Sequence, residues 1–205
     1  MTLYEPTTLI TDYLLAALTL ALGWRLRRDQ PPLARRWFAR TLLLSALSAF
    51  VGGNYHGLAP NFSPEVAAVW WRLVLVVLSF VSAALALSWM HEIVPRIHHR
   101  WVRVVIVLKL VVFVMIALIK PAFLVAIADY GTALLAWLLA ALLVRRPWRG
   151  WMLTAIGLSA AAAAIQQLRL SPSLHFNHND LYHVVQGVAF IAFYRAGRLF
   201  GRTNV

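Results

Sequence analysis

Seven stretches of roughly 19 to 25 mainly apolar residues follow one another along this chain, at about 7–25, 38–58, 66–90, 101–119, 122–144, 149–168 and 180–200. A bilayer core is crossed by about 20 helical residues, so each stretch is long enough to span it. Prolines punctuate the gaps. Pro31-Pro32 lies between the first two stretches, Pro60 and Pro64 between the next two, and Pro95 before the fourth. Pro121, Pro147 and Pro172 precede the fifth, sixth and seventh. Hydrophobic residues make up 61% of the chain and charged residues 13%, too little charge to cover a soluble domain of 205 residues. The pattern predicts an all-α integral membrane protein, a seven-transmembrane-helix bundle filling residues 1–205 as one domain. The opening residues MTLYEPTT lack a basic segment and a small-residue cleavage site, so no removable signal peptide is expected.

The basic residues orient the bundle. Arg25, Arg27, Arg28, Arg35, Arg36 and Arg40 follow the first stretch, and Arg96, Arg100 and Arg103 the third. Arg145, Arg146 and Arg149 follow the fifth, and Arg195, Arg198 and Arg202 belong to the tail. Fifteen basic residues thus fall on one side, against Lys120 and Arg169 on the other. The positive-inside rule places the N-terminus outside and the C-terminus in the cytoplasm. The net charge of +12 is therefore topogenic, and no nucleic-acid partner is expected. The expected location is the bacterial cytoplasmic (inner) membrane, with membrane lipid as partner; a homo-oligomer or a larger membrane complex stays open.

The absence of cysteine removes disulfides, thiolate metal sites and thiol nucleophiles. Ligand-type side chains concentrate in FNHNDLYHVVQG, Phe176–Gly187, where the seventh span begins. Asn179, His183, Gln186 and Gly187 share a helical face there. His178 is expected just before the helix, with Asn177 or Asn179 as cap. At about 1.5 Å per residue, His56, Asp12, Asp129, Arg72 and Gln166-Gln167 all reach a similar depth. Ionisable groups avoid hydrocarbon, so Asp12, His56, Arg72, Asp129 and His183 are expected to turn toward one outward-opening pocket. Mid-span Lys109 is left to snorkel, to pair with an acid or to mark a proton path. Trp70, Trp71, Trp89, Trp101, Trp148 and Trp151 fit a membrane-interface belt.

NDLYHVVQG and VGGNYHG resemble the seven-span CREST superfamily of membrane hydrolases, which includes alkaline ceramidases and progestin and adipoQ receptors. In that family one His ends the second helix and an H-x-x-x-H pair lies on the seventh. Here His56 fits the first of these. Leu181, Tyr182, His183 and Val184 fit the context of the pair, whose first His is Asn179. Gly52 stands at the family's serine, and its third-helix aspartate has no counterpart. The resemblance implies a zinc-dependent hydrolase of a lipid amide or ester, with a divergent site.

Zinc would take His56 and His183, with His178, Asp180, Asp12 or Asp129 as third ligand and an open position for water. Asp12 or Asp129 would accept the water's proton, and Arg72 or Tyr130 would stabilise the oxyanion. The alternatives are a non-enzymatic transporter, receptor or complex subunit, and a haem held by His56 and His183.

Overall fold

The structure is a computed structural model and describes residues 2–28 and 30–202. Among these residues there are seven α-helices and no strand: α1 Pro6–Arg27, α2 Leu33–Leu58, α3 Pro64–Ile93, α4 His99–Ile119, α5 Phe123–Leu143, α6 Arg149–Gln167 and α7 His178–Gly197. Short 3-10 turns, Ala59–Asn61 and Arg96–His98, precede α3 and α4. Among the described residues, four segments are long and apolar enough to cross a membrane: α1, α3, α5, and α4 with the turn before it.

The helix ends have local causes. Pro32 stands at the cap of α2, so the helix starts at Leu33, ahead of the expected 38, and takes in Arg35 and Arg36. Ser63 caps α3 by accepting from Val66 N, and Pro64 occupies the first helical position, where its missing N–H costs nothing. Asn177 caps α7. Its side chain accepts from Asn179 N and Asp180 N, while Asp180 Oδ2 accepts from Asn177 N at 2.7 Å. This reciprocal capping box brings His178 into the helix as its first residue, a correction to its expected place outside.

The short connections turn the chain back on itself, and consecutive helices pack together. α1 also packs on α7, closing a ring of α1, α2, α3, α5, α6 and α7. α4 stands outside this ring against α3 and, lightly, α5, and it buries only Ile106 and Ala117. Its exposed residues include Val105, Leu108, Val111, Val112 and Met115, an apolar surface suited to hydrocarbon.

The two ends of the ring differ. At the end holding the C-terminus of α7, aromatic rings fill the interior. Phe200, in the turn beyond α7, stacks on Trp137 with centroids 4.9 Å apart and meets Phe38 edge-on at 5.0 Å. Trp148 joins them, 5.3 Å from Trp137, and donates to Glu92 Oε1 at 2.9 Å. Trp148 is fully buried, so it is a core residue and not part of an interface belt; Trp101 and Trp151 are exposed. Arg35 fastens the turn by donating to the carbonyls of Gly197 and Arg198. Toward the end where the chain begins, the ring stays hollow.

Candidate functional site

That hollow is a cavity of about 730 Å³ walled by all six ring helices. α5 contributes Ala126, Ile127, Gly131, Leu134 and Leu138, and α3 contributes Val74, Leu78 and Val81. Polar groups come from α1, α2, α5, α6 and α7, among them Asp12, Tyr55, His56, Tyr130, Ser159, Gln166, His178, Asn179, His183 and Gln186. Among the described residues, no lysine or arginine lines it. The contact between α5 and α6 is the thinnest in the ring.

Close approach of α1 and α2 positions the polar wall. A Cβ on Gly53 would lie 2.9 Å from Asp12 Cβ and 3.1 Å from the Tyr13 ring, so only glycine lets the helices meet there. Gly52 is different. A Cβ there would sit 3.7 and 3.8 Å from the two Asp12 carboxylate oxygens, leaving a notch of one heavy atom beside the acid.

His183 bridges α7 to α1. Its Nδ1 is 3.0 Å from Thr11 Oγ1 and its Nε2 is 3.2 Å from Asp12 Oδ1. The Thr11 hydroxyl has acceptors in Thr8 O at 3.0 Å and Asp180 Oδ1 at 3.5 Å, or it donates to His183 Nδ1. Either way, a proton must lie between Nε2 and Oδ1, because two lone pairs would otherwise face each other. A proton on Asp12 Oδ2 would have no acceptor, as that oxygen is buried with no partner among the described residues. Asp12 and His183 therefore hold a proton between them at the cavity wall, and Oδ2 keeps its lone pairs.

Nearer the mouth, His56 Nδ1 pairs with Glu5 Oε2 at 2.8 Å. This hydrogen bond holds the Glu5 carboxyl below its usual range, against the opposing effect of partial burial. Gln166 donates to Asn179 Oδ1 at 2.7 Å, tying α6 to α7, and Gln186 donates to Ser159 Oγ at 3.2 Å.

The expected common pocket thus gathers Asp12, His56 and His183, together with His178. It does not gather Asp129 or Arg72. Asp129, buried on another side of α5, meets Lys109 Nζ of α4 at 2.5 Å, outside hydrogen-bond alignment. Lys109 also donates to Ser82 Oγ at 2.6 Å. Arg72 Nε donates to Leu118 O at 3.0 Å, near the end of α4. Both charges found partners on α4, which depth along a helix could not foretell. Asp180 does not line the cavity; its oxygens serve the α7 cap and Thr11. Nothing in the sequence singles out Thr11, because a lone hydroxyl inside an apolar run carries no pattern.

A catalytic zinc site needs three protein ligands and an open position. Among the described residues, no three His, Asp or Glu side chains converge to hold a metal. Both ring nitrogens of His183 are engaged, whereas the Glu5 contact takes only Nδ1 of His56. The described residues thus lack the three converging ligands of a catalytic zinc site.

The chain belongs to the family of unknown function DUF6962, which it matches over residues 7–202. That match contains every residue lining the cavity. No curated protein and no solved structure matches the chain.

Proposed function

We propose that this protein is a seven-span protein of the bacterial cytoplasmic membrane, N-terminus outside, that holds an amphiphile in its cavity. The fifteen arginines near one end of the bundle support the orientation. The carrying observation is the cavity itself. Its volume of about 730 Å³ lies within the roughly 300–1,000 Å³ of small-molecule sites. Its wall is mostly apolar, with a few converging polar groups. A fatty chain suits the Leu and Ile of α3 and α5, and a polar end suits the side of Asp12, Gln166 and Asn179.

Native mass spectrometry and organic extraction of the purified chain test this. We expect about one co-purifying amphiphile per chain. Gly131→Phe should abolish it without unfolding, since Gly131 lines the cavity and a Cβ there meets nothing within 4 Å. Finding no bound amphiphile, and no stabilisation by added ones, would refute the proposal.

Hydrolysis of a lipid amide or ester is the second reading, favoured by one observation: the Asp12–His183 pair keeps a proton at the cavity wall, where general acid–base chemistry would need it. The order of seven helices, with His56 and His183 on one cavity, supports the CREST resemblance; Asn179, bonded to Gln166, stands against a full family metal site. Release of fatty acid from amide or ester substrates, together with elemental analysis for zinc, separates this reading from simple binding.

A further inference from the structure

We infer that the amphiphile presents a hydrogen-bond donor, a hydroxyl, amine or amide N–H, to Asp12 Oδ2. This rests on the proposed amphiphile cavity and specifies its polar end. Asp12 is 4% exposed and lines the cavity, yet its Oδ2 is buried with no partner among the described residues. An orphaned buried oxygen bears its whole desolvation penalty, so a ligand donor that reaches it recovers free energy. Oδ1 is already committed to His183 Nε2. In every proton arrangement that satisfies this contact, Oδ2 is an acceptor.

Space and charge agree. The notch at Gly52 admits one heavy atom within 4 Å of the carboxylate and has no nearer neighbour. A carboxylate or phosphate end would enter a cavity without lysine or arginine and face an acceptor. The site therefore selects donors over pure acceptors of equal length.

Hexadecanol and hexadecyl methyl ether form a neutral pair that differs in the donor. Their affinities are to be read from thermal-shift titration of the full chain in nanodiscs of neutral phosphatidylcholine. Wild type should prefer the alcohol by about tenfold, the factor of one good hydrogen bond to a charged or polarised acceptor. Asp12→Asn should lose or reverse the preference, because its amide can turn N–H groups toward the notch. Gly52→Ala should also lose it, because the methyl fills the notch at ordinary contact distance; it carries the test if Asp12→Asn does not fold. Equal binding of alcohol and ether to wild type, or an unchanged preference in a folded variant, overturns the inference and leaves the amphiphile cavity standing. If neither compound binds, the cavity proposal fails and this inference with it.

Discussion

Replacing Lys109 by methionine should detach α4 from the rest of the bundle more effectively than any change on its apolar face. The lysine reaches Asp129 and Ser82, and Ser82 in turn donates to the Asp129 carbonyl at 2.9 Å. Asp129 is 1% exposed, and its Oδ2 has no hydrogen-bond partner among the described residues. Taking away the lysine strands a buried acid, a loss of about 3–5 kcal/mol by analogy with other broken buried pairs. Asp129→Leu strands the lysine instead. Its four-carbon stem can bend toward the membrane surface, so the loss should be nearer about 2.5–3.5 kcal/mol, the cost of a lysine at mid-helix. The double variant removes both charges and should lie within about 1 kcal/mol of wild type, because apolar replacement of a buried pair is often neutral. The coupling would then exceed about 4 kcal/mol, well beyond that of independent sites. Thermal unfolding in nanodiscs, followed by the fluorescence of the nine tryptophans, measures all four proteins. Additive losses, or single losses below about 0.5 kcal/mol, would refute the account of how α4 is held.

Two other expectations concern the mouth and the α1–α2 contact. The Glu5 carboxyl is held below its ordinary 4.5, so its contribution is complete above that pH and fades as pH falls through the lower folded value. Melting temperature measured from pH 6 down to 3 should therefore fall more steeply for wild type than for Glu5→Gln. Gly53→Ala should cost about 1–3 kcal/mol through overpacking against Asp12 and Tyr13, while Gly52→Ala should cost less than about 0.5 kcal/mol, a contrast read by thermal unfolding.

Helix count and approximate limits were legible because apolar length and proline spacing act locally. The expected span of 149–168 became Arg149–Gln167, and 101–119 became His99–Ile119. Rotation about each axis was not legible. Asp12 and Asp129 have similar apolar neighbours in sequence, yet one faces the cavity and the other faces α4. Nothing in either local pattern says which neighbour packs on which side, since that depends on the whole ring. His183 was found because its helix concentrates polar residues at spacings of three and four. Thr11, its partner on α1, lies 172 positions away and stands out only once α1 and α7 touch.

The helices short of full membrane hydropathy are themselves informative. α2, α6 and α7 fall outside the set that length and apolarity alone mark as spans. They carry Ser45, Ser48, His56, Ser159, Gln166, Asn179, His183 and Gln186, all facing the cavity. α4 is mostly exposed and takes no part in it. A helix whose only task is to meet lipid has no reason to give up apolarity, whereas one that lines a site must. The polar losses on α2, α6 and α7 converge on one volume, as expected if binding there, and not packing alone, shaped these helices.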